Sequence, residues 1–178
     1  MSVELIGTRC IVRRFLATDA KSVASAANDR RIWLQLRDFF PHPYHVADAE
    51  RYIGRVAVVD PPLSLVITVD GRAAGSVGLQ PMTDVNRRTA EIGYWIGAAF
   101  WGRGIATEAV TLVTDWAFGA HGFLRIFAQP FAGNLASRRV LEKVGYELEG
   151  TMRCSAVKDG EVRDQCMYAR LGPTAKRG

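Results

Sequence analysis

The stretch YWIGAAFWGRGIATEAVTLVTDWAF, residues 94–118, decides how the chain is read. It opens as the end of an apolar strand, passes through Gly102-Arg103-Gly104, and continues as a helical pattern. Ile105, Ala109, Leu112 and Trp116 then mark the face expected to pack on a sheet. A helix start presents backbone N–H groups without internal partners, at the positive end of the helix dipole. Phosphates bind readily there, and glycine lets them approach the backbone because no Cβ intervenes. Gly102, Gly104 and Ala106 meet that need, and Arg103 and Thr107 can add side-chain contacts. On the glycines alone two readings stand: a cradle for a diphosphate, or a tight strand-to-helix turn. A nucleotide-triphosphate loop is excluded because G-x-x-x-x-G-K-[ST] is absent. A dinucleotide fingerprint fits poorly, since Thr107 occupies the third glycine position and the loop lies mid-chain.

Working outward, RRTAEIGYWIG (87–97) reads as a strand with Ala90, Ile92, Tyr94 and Ile96 on one face and Glu91, Gly93 and Trp95 on the other. Before it, two β-rich runs flank Asp70-Gly71, a two-residue hairpin signal. TRCIVRRF (8–15) reads as a first strand, followed by helices over about 19–28 and 47–58 with a Pro-broken segment between them. After the central helix, expected over about 104–118, LRIFAQPF (124–131) reads as a buried strand. NLASRRVLEKVGY (134–146) reads as a helix capped by Asn134 and stopped by Gly145. A closing hairpin turns at Lys158-Asp159-Gly160. The pattern predicts a single α/β (α+β) domain over residues 1–172: a mixed, mostly antiparallel sheet of six to seven strands, helices on both faces, and a flexible tail at 173–178.

The chain has 178 residues, 48% hydrophobic and 23% charged, with a net charge of +5. That is the composition of a globular domain of ordinary size. The basic residues are scattered in pairs such as Arg13-Arg14 and Arg87-Arg88, which argues against a nucleic-acid partner. Three cysteines without C-x-x-C spacing suggest neither a disulfide framework nor a zinc site, and His42, His45 and His121 show no ligand spacing, so no metal is expected. No signal-peptide pattern opens the chain and no apolar run reaches membrane-spanning length, which points to a cytoplasmic protein away from the membrane.

Three stretches in order resemble the GNAT superfamily of N-acetyltransferases, and more narrowly its RimJ/RimL-type branch of ribosomal-protein N-terminal acetyltransferases. EIGYWIGAAFWGRGIATEA is similar to the acetyl-CoA motif Q/R-x-x-G-x-G/A, with Trp101 in the Q/R position. NLASRRVLEKVGYELEG resembles the second cofactor helix, and DGEVRDQCMYARL the branch's final strand. The resemblance implies an enzyme that moves an acetyl group directly from acetyl-CoA to a primary amine, of a protein N-terminus or a small molecule, in a ternary complex. A homodimer is common in the family.

The resemblance also implies residue roles. Tyr94, Trp95 and Ile96 would pair with the pantetheine arm like an added strand. The amides of Trp101, Gly102, Arg103, Gly104, Ile105, Ala106 and Thr107 would hold the diphosphate, and Asn134 and Ser137 would contact the cofactor. The tyrosine that many members place seven residues after the Asn is Leu141 here; in the ribosomal branch a Ser three residues after the Asn is the candidate for protonating the departing thiolate, and Ser137 fills that place. Glu91, on the cofactor strand with its side chain on the face of Gly93 and Trp95, is the candidate proton acceptor, as a carboxylate partly desolvated there; the closing-hairpin position that carries a Glu in some branch members is Ala156 here. Phe39, Phe40, His42 and Tyr44, in the segment expected over the acceptor cleft, are candidate acceptor-binding residues. The missing tyrosine leaves a second reading, a non-catalytic acyl-CoA-binding module.

Overall fold

A computed structural model describes residues 3–175. In chain order the elements are β1 (Glu4–Ile6), β2 (Ile11–Arg13), α1 (Ala20–Ala27), α2 (Arg30–Trp33), α3 (Val46–Val56), β3 (Ser64–Val69), β4 (Arg72–Pro81), β5 (Thr89–Ile96), α4 (Ile105–His121), β6 (Arg125–Ala128), α5 (Leu135–Lys143), β7 (Glu147–Lys158) and β8 (Glu161–Leu171). The strands form one eight-stranded sheet in the order β1-β2-β3-β4-β5-β6-β8-β7. All neighbouring pairs are antiparallel except β5 with β6. The predicted mixed, mostly antiparallel α/β sheet is therefore present, with one strand more than expected. The addition is β1, whose three residues pair with β2 and are too few to show a period.

Both faces of the sheet are covered. On one, Val12, Leu65, Ile67, Val77, Ile92 and Ile126 pack against Ile105, Ala109, Val110 and Val113 of α4 and Leu141 of α5. On the other, Val66 and Ala73 pack under Val23, Ala24 and Ala27 of α1 and Ala49 and Ile53 of α3. The buried face of α4 is rotated from the expected stripe. Ile105 and Ala109 are buried as expected, but Val110, Val113, Thr114 and Ala117 complete the face, and Leu112 and Trp116 are half-buried. Small and β-branched side chains fit closest to the sheet and leave the bulkier ones at its flank. The helix also runs through Gly119 and stops only at Gly122, a left-handed residue with φ 63°.

The closing β7–β8 hairpin turns at Asp159 and Gly160, with the shift of register between Met152 and Ala156 marking a bulge. Of the expected tail, 176–178 lie outside the described residues. Pro173 and Thr174 form a turn, and the Ala175 N–H donates to the Gly172 carbonyl.

Candidate active site

The one parallel pair joins only over a short stretch. β5 and β6 are matched only at Thr89–Arg125, Ala90–Ile126 and Glu91–Phe127. β5 runs on to Ile96 with β4 on its other edge, while β6 ends at Ala128 and the chain leaves toward the isolated Phe131–Gln165 bridge. The two strands thus form a fork with Glu91 at its base, and the Ile92–Ile96 edge of β5 has no strand beside it. Strand alternation places Ala90, Ile92 and Ile96 on the buried α4 side, where Tyr94 packs against the same core. Glu91 and Trp95 face the other way, where Phe40 meets the Trp95 ring at 5.7 Å.

At the mouth of the fork the chain makes a 3-10 turn over Ala98–Phe100 and enters the glycine loop. Gly102 and Gly104 have φ of 73° and 74°, a region costly for any residue with a side chain. A Cβ on Gly102 would meet nothing within 4 Å, so this glycine answers to backbone conformation and leaves the approach open. Gly104 caps α4, and the first helical N–H with a partner is that of Glu108, on the Gly104 carbonyl at 3.1 Å. The amides of Ile105, Ala106 and Thr107 are the ones a helix start leaves without internal acceptors. The Trp101 N–H, also expected in the cradle, instead donates to the Ala98 carbonyl at 3.2 Å and closes the preceding turn. The cradle is a feature of the main chain: the Ile105 side chain itself is buried in the core, and Ala106 packs against it. Trp101 is held by its indole N–H on the Ile96 carbonyl at 2.7 Å, which engages that strand carbonyl, and the Arg31 guanidinium lies 4.9 Å above the Trp101 ring.

A residue that the motif reading missed fastens this loop to the sheet. Glu108, in the first turn of α4, accepts from the Thr8 N–H and hydroxyl through Oε1 and from the Arg9 and Cys10 N–H groups through Oε2, at 2.7–3.0 Å. Burial works against its charge, but these bonds outweigh it and bring the carboxyl down to about 2. The same contact, with burial as the larger cause, pushes the Cys10 thiol up to about 12, which keeps it from acting as an acyl carrier at neutral pH.

α5 closes the fork from the α4 side. The Asn134 side chain caps it by accepting from the Ser137 N–H at 3.1 Å. The Ser137 hydroxyl lies 2.9 Å from the Tyr94 hydroxyl, which also donates to the Ser137 carbonyl at 3.1 Å. Burial raises the Tyr94 phenol, the Ser137 bond partly offsets this, and nearby Tyr146 adds to the rise, so Tyr94 remains a neutral donor. Serine and tyrosine thus supply the pair of hydroxyls that Leu141, fully buried in the core, cannot.

Glu91 lies on the opposite face. Its carboxylate, 17% exposed, is paired with the Arg37 guanidinium. The four candidate acceptor-binding residues divide. Phe39 is 77% exposed, while Phe40 stacks at a tilt on Tyr44 at 4.8 Å. Tyr44 is a core residue, and His42 stacks on Trp33 at 5.7 Å. A cavity of about 350 Å³ is lined by Gln35, Arg37, Asp38, Gln129, Lys158 and Gln165 among others. The structure therefore brings 35–38 to the hollow, and Phe39, Phe40, His42 and Tyr44 are not among its lining residues. A second hollow of about 460 Å³ adjoins it through Gln35 and Phe131. Among the described residues no group of three or more His, Cys, Asp or Glu could hold a metal ion, and no helix is long and apolar enough to cross a membrane.

A mixed sheet parted at one parallel pair, with a glycine loop opening the helix that follows, is the framework of an acyl-group transferase. The chain belongs to the GNAT acetyltransferases: residues 9–147 match the family described as "Acetyltransferase (GNAT) domain". Acetyltransferases of this family use acetyl-CoA. The chain is 41% identical over 104 residues to "Probable N-acetyltransferase YjcK" of Bacillus subtilis (strain 168), covering 58% of this chain and 58% of that protein. It thus spans somewhat over half the length of the curated relatives it matches. Among solved structures, the ribosomal-protein-S5-alanine acetyltransferase of Vibrio fischeri superposes with a TM-score of 0.84 at 19% identity, over 98% of this chain and 100% of that one. Mycobacterium smegmatis RimJ in complex with CoA-disulfide gives 0.83 at 24%, over 99% and 90%. At these identities the likeness speaks for the fold.

Proposed function

We propose that this chain is an acetyl-CoA-dependent N-acetyltransferase acting on a primary amine in a ternary complex. The observation that carries this is the fork: β5 and β6 part after Glu91, and the amides of the Gly102–Thr107 loop stand at its mouth. When bound, acetyl-CoA supplies the activated acetyl thioester. On the free edge of β5, Tyr94 and the N–H of Ile96 offer strand-like bonds to its arm; the Ile96 carbonyl is taken by the Trp101 indole and the Trp95 main chain alternates toward β4, so Trp95 offers its side chain only. The loop amides offer bonds to its diphosphate.

The two faces of β5 divide the proton traffic. Glu91, on the acceptor face, accepts the proton that the amine loses as its nitrogen bonds to the acetyl carbon. Ser137, on the other face and bonded to neutral Tyr94, donates to the sulfur as the carbon–sulfur bond breaks. Arg37 must release Glu91 for this to occur. Phe39 and Phe40 form the rim of the acceptor side, while His42 and Tyr44 hold that segment from beneath. The two adjoining hollows leave room for an extended acceptor such as the start of a protein chain. Three free thiols, two of them buried, fit a reducing, cytoplasmic setting.

The Arg37–Glu91 pair also favours a second reading, a non-catalytic acyl-CoA-binding module whose carboxylate is permanently engaged. Release of free thiol from acetyl-CoA across a panel of peptides and small amines separates the two. Turnover with any amine supports the enzyme; CoA binding without turnover supports the module. In the enzyme, Ser137→Ala lowers kcat by roughly ten- to a hundredfold while the dissociation constant for CoA stays within about twofold. An unchanged kcat removes Ser137 from the mechanism.

A further inference from the structure

We propose that Arg9 is a phosphate-binding residue of the carrier site, contributed by the turn between β1 and β2. The proposal rests on the acetyl-CoA reading above. The Glu108 carboxylate holds the backbone of Thr8, Arg9 and Cys10 against the first turn of α4. That grip fixes where the Arg9 side chain starts, and the side chain then runs along the glycine loop. A Cβ on Gly104 would stand 3.2 Å from its Nε.

The guanidinium at the end of this side chain has little to do in the protein alone. The Arg9 side chain is 58% exposed, and Glu108 Oε1 lies 3.7 Å from Nη1, beyond hydrogen-bond reach. Both oxygens of Glu108 are already occupied by the main chain and the Thr8 hydroxyl. The contact Nη1 makes with the Thr8 hydroxyl is 3.4 Å long. A guanidinium has five N–H donors, so most remain for another acceptor. It also stands beside the positive end of α4, where a cation is disfavoured unless an anion lies between them. A phosphoryl group on the Gly102–Thr107 amides would be that anion, and the planar fork of arginine suits phosphate oxygens. The two sources of such a group in the carrier are its diphosphate and its 3′-phosphate.

The test is calorimetric titration of the full chain with CoA and with 3′-dephospho-CoA, for wild type, Arg9→Gln and Arg9→Lys. In Arg9→Gln the affinity for CoA falls roughly tenfold, the loss of one charged contact, and the wild type loses more affinity than the variant when salt is raised. Arg9→Lys recovers part of the loss. An equal fall for both ligands assigns the contact to the diphosphate; a fall for CoA alone assigns it to the 3′-phosphate. The unfolding midpoint without ligand stays unchanged, because the bonds to Glu108 come from the Arg9 backbone. Wild-type binding with unchanged affinity in Arg9→Gln overturns the proposal and leaves the enzyme reading standing. A wild type without affinity for CoA overturns that reading as well.

Discussion

On one side of the fork, that of α4 and α5, the site is made of main chain; on the other, that of the 34–45 segment and the β7–β8 hairpin, it is made of paired side chains. The α4 side consists of left-handed glycines, helix-start amides, a capping asparagine and a carboxylate saturated mainly by backbone donors. The other side, where we propose the acceptor binds, is fastened by Arg37 on Glu91, Arg30 on Asp159, and Lys158 on Asp38 at 2.8 Å. The Lys158 ammonium, 1% exposed, also sits 3.8 Å from the centre of the Trp33 ring. Main-chain sites depend on conformation, which few residues can supply. Side-chain sites depend on which two residues happen to meet, and can be rebuilt with other pairs. One fold can thereby keep a constant carrier side while its acceptor side varies.

The largest effect expected from this contrast is at Gly102. Its φ of 73° with open space around the Cβ position means that a substitution acts through the backbone. Gly102→Val places a β-branched residue where it is a severe outlier, so the loop must leave its conformation and take its amides with it. The affinity for CoA should fall about a hundredfold by calorimetry, a loss on the order of 3 kcal/mol. A variant that binds as the wild type does would show that the amides are not the cradle and would erase the distinction between the two sides.

Next in size is the latch. Glu108→Ala leaves the Thr8, Arg9 and Cys10 donors without their acceptor, and the chain should lose roughly 2–3 kcal/mol at pH 7 in urea unfolding. The dependence on pH has a definite sign. The folded carboxyl is held down to about 2, below the ordinary value of 4.5, so its stabilisation is complete above 4.5. It is lost as pH falls from there toward 2. The gap between wild type and variant should therefore narrow over that window. A gap that is constant with pH would mean that shape, not charge, makes the latch.

The same contrast explains what the sequence disclosed. The hairpin at Asp70-Gly71, the two faces of β5, the glycine loop and the Asn134 cap were all legible, because each needs a residue type that few others replace. Glu108 was visible within ATEA, yet nothing local marks it: its donors lie about a hundred residues earlier. Arg37 and Lys158 were silent for the same reason, since Lys158 meets Asp38 across 120 residues. The short β1 is set by pairing with β2 rather than by any period of its own. The rotated face of α4 was misread because large apolar residues were weighted over the small and branched ones that fit against the sheet.

The smallest effect tests the acceptor side. Arg37→Gln removes a guanidinium, on a side chain 49% exposed, that in the proposed reading competes with the amine for Glu91. The pair is open to water on the Arg37 side, so folding should lose no more than about 1 kcal/mol. If the acceptor arrives as an ammonium and takes the place of Arg37, the variant should show a KM for the amine lower by about threefold, the scale of one exposed pair. The dissociation constant for CoA should not move, because the cradle shares no side chain with this pair. A higher KM with unchanged CoA affinity would instead make Arg37 a contact of the acceptor. A weaker grip on CoA would show that the two sides of the fork are coupled, and that a change in the paired side chains reaches the main-chain cradle across β5.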